Sequence, residues 1–206
     1  WNSSFPQMTY ATAMEKYGTD RPDLRYGLEI NDYSDVFQDS DFKVFSSAIE
    51  KGGRIRGIVV PGGAKFSRKT LDHFIDSARE AGAGGLIWIQ INGTGLIEEI
   101  SIDDIKSPAV KFLSVDEVIQ LAKIGNASRG DLVILAADTD QITSKVLDLV
   151  RRDAASKLEL IDSKRLDFVW ITEFPLFEWD SDESRWSATH HLFTAPLDGD
   201  KKYLDS

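Results

Sequence analysis

Three short apolar runs, separated by amphipathic segments, dominate the middle of this chain. The runs are Arg54–Val60, Leu86–Ile91 and Asp131–Ala137, and their length and β-branched content are typical of strands. In the segments between and after them, apolar residues recur every three or four positions, which is the period of an α-helix. This succession predicts a sheet covered by helices.

Serine and threonine residues mark where the helices begin. Ser67 precedes a predicted helix that ends near Ala81, and Thr139 opens a longer one. Ser114 and Glu117 have the spacing of a capping box, in which each side chain satisfies a backbone amide of the other residue. We therefore expect three amphipathic helices in this region.

Hairpin-type connections accompany the helical ones. Asn92-Gly93 is a turn signal, and Leu96–Ile102 is its expected strand partner. Asp41–Ala48 is predicted as a further, weaker strand. The fold class expected is α+β: a two-layer sandwich with a mainly antiparallel sheet and helices on one face.

The two ends of the chain have a different character. Thr9 and Gly18 fit the first and last positions of a short helix. Asp167–Pro196 has the pattern of a β-hairpin, and its apolar block Phe168–Ile171 predicts a strand buried on both faces inside a larger sheet. We expect residues 1–31 and 161–206 to be pieces of one domain, residues 32–160 to be a unit inserted between them, and the whole chain to be a fragment of a longer protein.

Composition excludes several functions. The 206 residues contain no cysteine, which rules out disulfides and thiolate metal sites, and carry a net charge of −10. Such an acidic surface repels phosphate backbones, so we expect weak or no nucleic-acid binding by this chain alone. No apolar run approaches the roughly 20 residues that cross a bilayer. We expect a cytoplasmic protein that is not bound to a membrane.

Candidate site residues are few. His190 and His191 are neighbours on the second predicted strand, so they point to opposite faces. The pair could bind a metal, act as a general base or contact a substrate, and the lack of a third ligand at zinc spacing disfavours the metal. Pro61-Gly62-Gly63 lacks the spacing of a phosphate loop and predicts a turn.

Charged clusters give two weaker signals. Asp180–Ser184 lacks the glycine and distant glutamate of a calcium loop, so a solvated turn is expected there. A small basic patch is expected around the start of the first long helix, as a possible contact for a nucleic-acid backbone or a partner. Its members are Arg54, Arg56, Lys65, Arg68 and Lys69.

Several motifs resemble those of bacterial aspartyl-tRNA synthetases, in the same order. Phe5–Arg25 resembles the segment after the second class-defining motif of that family. Arg56–Thr70 and Ser107–Leu113 resemble its GAD insertion domain. The strands Trp170–Glu178 and Ser187–Pro196 resemble the return of the chain to the catalytic domain.

The resemblance implies a class II synthetase that charges tRNA with aspartate through an aspartyl-adenylate, using ATP and Mg²⁺, and that forms a homodimer. His190 matches the family histidine that helps to bind aspartate, and His191 lies beside it. Asp20 and Arg21 match a loop near the active site, without an assigned role.

Class motifs 1, 2 and 3 have no counterpart in this chain. We therefore expect no catalytic residue, no bound ATP and no metal in it, and no activity of the chain by itself. The alternative reading is a non-catalytic GAD-type binding module of the kind found in tRNA-dependent amidotransferases. The synthetase-like segments at both ends favour the ligase.

Overall fold

The computed structural model describes residues 5–180, 183–189 and 195–203. The helices are α1 (Tyr10–Tyr17), α2 (Lys43–Glu50), α3 (Arg68–Glu80), α4 (Val115–Gly125) and α5 (Asp140–Lys157). The strands are β1 (Gln7–Thr9), β2 (Ile30–Asp32), β3 (Arg54–Val60), β4 (Ile87–Ile91), β5 (Ile105–Lys106), β6 (Leu132–Asp138), β7 (Trp170–Thr172), β8 (Phe177–Asp180) and β9 (Arg185–Ala188). We call residues 30–158 the central body, residues 5–29 the first flank, and the described residues after 158 the second flank.

The central body is built on one five-stranded sheet. Its strand order is β2-β3-β6-β4-β5, and every neighbouring pair is antiparallel. The three predicted strands form its middle, with β3 and β6 paired along their whole lengths from Arg54 opposite Asp138 to Val60 opposite Leu132. The prediction of an α+β fold with a mainly antiparallel sheet is confirmed.

Helices cover both faces of this sheet, whereas the sequence predicted helices on one face. Ile58, Trp88 and Ile134 face α3 and α5 on one side. The residues next to them in each strand, Ile89 and Val133 among them, face α2 and α4 on the other. The central strands are apolar at consecutive positions, so each presents two hydrophobic faces, and both must be covered. The architecture therefore has three layers.

The prediction of a strand over Asp41–Ala48 is wrong, because the segment contains helix α2. Phe42, Phe45 and Ile49 are spaced three and four residues apart, which is helical spacing. The side chain of Phe45 is fully buried, and its ring packs 4.6 Å from that of Phe37 between centroids. Burial against the second sheet face decides the conformation of this short segment.

The partner of β4 also differs from the prediction. Leu96–Ile102 contains the 3₁₀ turn Ile97–Glu99 and the start of another, Ile102–Asp104, and the antiparallel partner of β4 is the later strand β5. The Asn92 amide donates to the carbonyl of Asp104 at 2.7 Å, which closes a longer loop than the Asn92-Gly93 signal implied.

The predicted helix starts are confirmed. At each one the hydroxyl of a serine or threonine accepts a hydrogen bond from an amide three residues later, as an N-cap does. The four caps are Thr9, Ser67, Ser114 and Thr139. Ser114 and Glu117 form the complete capping box. In the described ranges, no helix combines the length and the apolar character needed to cross a membrane.

Candidate functional site at the junction of the flanks

The two flanks, which come from opposite ends of the chain, meet in one small sheet. Strands β1 and β7 pair in parallel, with Met8 opposite Ile171. The Trp170 amide donates to the carbonyl of Pro6 at 2.9 Å. Strand β7 has β1 as its one partner among the described residues, and Phe168 and Trp170 are each more than half exposed. The expected burial of Phe168–Ile171 inside a larger sheet stays a prediction, because β1 is the one neighbour that the described residues provide.

Aromatic side chains hold the junction together. The rings of Tyr10 and Phe174 lie 4.8 Å apart between centroids, and those of Phe5 and Phe168 lie 5.2 Å apart. Each pair joins one residue of the first flank to one of the second, and a contact of this kind contributes about 0.5–1.5 kcal/mol beyond area burial. The synthetase-like segments identified at the two ends of the sequence are thus in direct contact.

The predicted hairpin is present, although it begins later than expected. Strands β8 and β9 pair with Trp179 opposite Trp186. Beyond β9, the Thr189 amide donates to the carbonyl of Leu176 at 3.2 Å. Thr189 is the residue before the predicted site pair, His190 and His191, which lie outside the described residues; their placement stays a prediction.

A cleft of about 520 Å³ opens beside the junction. Its lining comes from β7, from the turn after it and from the segment that follows the histidine pair: Ile171, Thr172, Glu173, Phe174, Ala195, Leu197 and Asp200. Glu173 lies at the turn with φ of 55°, in the left-handed region that side chains other than glycine rarely adopt. Such strain is often found where a site needs one particular backbone direction.

Two carboxylates act on the hydroxyl of Tyr10. Partial burial raises the pKa of Tyr10, and the negative charges of Glu178 and Asp20 raise it further. The phenol therefore stays neutral at physiological pH and can donate a hydrogen bond. Asp20 belongs to the loop predicted to lie near an active site, and its influence on Tyr10 places its charge close to the junction.

Within residues 5–180, 183–189 and 195–203, no three His, Asp or Glu side chains come together in a way that could hold a metal ion.

The expected basic patch does not exist as a unit. Arg56 is buried, and Arg54 forms ion pairs with Glu15, Asp32 and Asp140. Both arginines contact Glu15 of the first flank, Arg54 through the Glu15 carboxylate and Arg56 through the Glu15 carbonyl.

Sequence reasoning also missed Arg151, a fully buried residue of α5. A signal was available for each buried arginine. Arg56 shares a strand face with Ile58 and Val60, and Arg151 follows Leu147 by four residues on the apolar side of α5. A charged residue on a core-facing position is expected to have a specific partner.

The central body matches a known family. The model of the GAD domain matches residues 45–147, so this chain belongs to the GAD domain family. That range includes four of the five strands of the sheet, β3 to β6, together with helices α3 and α4.

The relatives that match over nearly the whole chain are named as aspartate–tRNA ligases. Aspartate–tRNA(Asp/Asn) ligases of Persephonella marina and Caldanaerobacter subterraneus subsp. tengcongensis are 44% and 42% identical over 201 residues, 98% of this chain. An aspartate–tRNA ligase of Ruminiclostridium cellulolyticum is 40% identical over 202 residues. The match covers 32–33% of each of these proteins, so the chain spans about a third of their length. The resemblance drawn from the motifs is confirmed.

Proposed function

We propose that this chain is the GAD domain and two active-site segments of an aspartate–tRNA ligase. The full ligase would activate aspartate with ATP to an aspartyl-adenylate and transfer the aspartyl group to tRNA, as a cytoplasmic homodimer. The observation that supports this most strongly is the β1–β7 junction, because it brings together the two segments that resemble the catalytic domain. A binding module would need the GAD domain alone.

The chain by itself is proposed to be inactive. ATP, Mg²⁺ and the class-defining motifs would belong to parts of the ligase outside this chain. The junction of the two flanks is proposed to bind and orient aspartate. His190 is proposed to contact aspartate because it matches the family histidine that helps to bind aspartate, and His191 is the less favoured neighbour.

Pyrophosphate exchange tests the proposal. The full-length ligase proposed to carry this chain should exchange pyrophosphate into ATP when aspartate is present, and the isolated chain should not. Exchange by the isolated chain would overturn the claim that it is inactive. A full-length protein without aspartate-dependent exchange would contradict the ligase assignment.

Substitution of the histidines tests the site. His190→Ala in the full-length ligase should raise KM for aspartate more than tenfold, and His191→Ala should have a smaller effect. His73→Ala is the matched control, because His73 lies on α3 of the central body, where its Nε2 is 3.1 Å from Asp153 Oδ2. An unchanged KM for aspartate in His190→Ala would remove His190 from the site.

The amidotransferase-type binding module remains the alternative. It is disfavoured because the similarity to aspartate–tRNA ligases extends over 98% of the chain, including both flanks. A protein that bound tRNA without any aspartate-dependent exchange would fit the alternative.

A further inference from the structure

A buried arginine of the central body, Arg56, binds the C-terminal end of α1. The Arg56 side chain is 1% exposed and donates to the carbonyls of Met14 and Glu15 at 3.1 and 2.6 Å. Its other terminal nitrogen donates to Ser144 Oγ at 2.7 Å. The last carbonyls of a helix carry partial negative charge, so a guanidinium stabilises them, and here it adds to the bond that the Gly18 amide donates to the Met14 carbonyl at 3.0 Å.

A second buried arginine, Arg151, binds the loop that follows α1. Arg151 is fully buried and lies between the rings of Tyr17 and Tyr26, 4.7 and 4.5 Å from their centroids. It donates to four backbone oxygens: Asp23 at 2.6 Å, Leu28 at 3.1 Å, Gly27 at 3.2 Å and Tyr26 at 3.4 Å. A planar guanidinium can satisfy several acceptors at once, which a lysine ammonium does less well.

The loop bound by Arg151 includes a residue with a strained backbone, Leu28. Leu28 has φ of 64°, in the left-handed region, although it is not a glycine. Such a conformation costs about 1 kcal/mol and persists only where the surroundings impose it. The bond from Arg151 to the Leu28 carbonyl, together with burial of the Leu28 side chain, supplies that constraint.

Gly18 lets the end of α1 approach α5 closely. It has φ of 72°, and a Cβ atom at this position would lie 2.3 Å from the carbonyl oxygen of Ser144. Any side chain would therefore push α1 away from the central body. We call the contacts of Gly18, Arg56 and Arg151 with their partners the joint.

The joint is connected to the candidate site by one rigid element. Helix α1 has eight residues, Tyr10–Tyr17, and links Tyr10 at the junction to Gly18 at the joint. Tyr10 packs on Phe174, and the residue before it ends β1, which pairs with β7. A displacement at the joint therefore moves the two groups that hold the flanks together.

We propose that Arg56 and Arg151 are positioning residues, through which the central body fixes the first flank and thereby sets the geometry of the flank junction. The central body then determines where the first flank lies relative to the second. This inference goes beyond the proposed function and does not need it for its first test.

The first test uses the chain itself and compares two glycines. Gly18→Ala should open the joint while leaving both arginines in place. Gly52→Ala is the matched control, since Gly52 has φ of 77° but open space around its missing side chain. Amide exchange measured by NMR should be about tenfold or more faster at Trp170 in Gly18→Ala, and unchanged there in Gly52→Ala.

Exchange in the central sheet separates positioning from general stability. Amides of β3 and β6 should keep their protection in Gly18→Ala. If those amides accelerate as much as Trp170 does, the joint is part of the core and the proposal fails. If Trp170 keeps its protection, the junction holds its own geometry and the proposal also fails.

The second test uses the full-length ligase and rests on the proposed function. Arg151→Met should raise KM for aspartate at least fivefold more than it lowers kcat in pyrophosphate exchange, and Arg151→Lys should restore part of the loss. A fall in the amount of folded protein with unchanged KM would show a merely structural role. Inactivity of the unsubstituted ligase would instead refute the proposed function. It would not affect the amide-exchange result of the first test.

Discussion

The central body and the second flank are both rich in apolar residues, yet they bury them very differently. In the central body both sheet faces are covered, and Ile58, Ile89 and Phe45 have no exposed surface. On the second flank Trp170, Phe177 and Trp186 remain 53–64% exposed. Composition alone does not separate the two regions, because what differs is the number of neighbouring layers.

The difference predicts which region folds by itself. A strand run that is apolar at consecutive positions needs cover on both sides, and the central strands receive it from α2 and α4 on one face and α3 and α5 on the other. Strand β7 has the same kind of sequence, but among the described residues only β1 lies beside it. Its exposed aromatic residues are what the proposed ligase would cover with the rest of a catalytic sheet.

The largest expected change in unfolding free energy comes from replacing phenylalanine by alanine, and the same replacement can be compared in both regions. Phe45→Ala removes a fully buried ring and should lower the free energy of unfolding by about 3–5 kcal/mol, because it leaves a cavity. Phe177→Ala removes a ring that is 53% exposed and should cost about 0.5 kcal/mol. Chemical denaturation of the two variants measures both values, and equal losses would erase the distinction between the regions.

What the sequence could predict follows the same division. The middle strands, the helix caps and the short helix from Tyr10 were predictable because their signals are local. Helix α2 was missed because eight residues contain too few periods to distinguish a helix from a strand before the second sheet face is known. Strand β5 was missed because its pairing with β4 depends on a loop whose path is set by distant contacts.

The candidate site was predictable only in outline. The motifs at the two ends pointed to a shared site, but nothing local indicated that Tyr10 packs on Phe174 or that β1 pairs in parallel with β7. Parallel pairing between distant segments has no turn signal. The roles of Arg56 and Arg151 depend on backbone carbonyls, which no side-chain pattern reveals.

The next effect in size tests whether the flanks hold each other. A double-mutant cycle with Tyr10→Leu and Phe174→Leu should give a coupling of about 0.5–1.5 kcal/mol, as expected for a packed aromatic pair. The readout is the exchange protection of the Trp170 amide, which reports opening of the β1–β7 pair. A control cycle of Tyr10→Leu with Phe66→Leu in the central body should be additive. Additivity in both cycles would mean that the ring contact does not hold the junction.

A smaller effect concerns pH, through the ion pairs that Arg54 makes between the first flank and the central body. The hydrogen bond from Arg54 lowers the pKa of Glu15. Burial acts to raise the pKa of Asp32, but hydrogen bonds from Ser34 and Arg54 outweigh it, and the net shift is downward. A lowered folded-state pKa stabilises the protein above the unfolded value of about 4, and this stabilisation is lost as pH falls through the folded value.

Arg54→Gln measures this contribution. At pH 7 it should cost at most about 1 kcal/mol, since the groups are partly exposed. The difference from the unsubstituted chain should shrink as the pH falls from 7 to 3, because protonated carboxyls no longer need the arginine. Arg68→Gln removes an exposed pair within α3 and should leave exchange in α1 unchanged. A cost for Arg54→Gln that grows in acid would contradict this sign.

The smallest cost in unfolding free energy is expected for Trp186→Thr in the isolated chain, and it should become larger in the full-length ligase. This change is the most direct test of the difference between the two regions. Trp186→Thr keeps a strand-forming residue in β9 and should change the free energy of unfolding of the isolated chain by no more than about 0.5 kcal/mol, because the ring is 64% exposed. If the rest of a catalytic domain covers this face, the same substitution should cost about 3 kcal/mol in the full-length ligase. Thermal denaturation of both forms measures the pair of values. Equal, small costs would mean that the exposed aromatic face of the second flank stays open to solvent in the ligase.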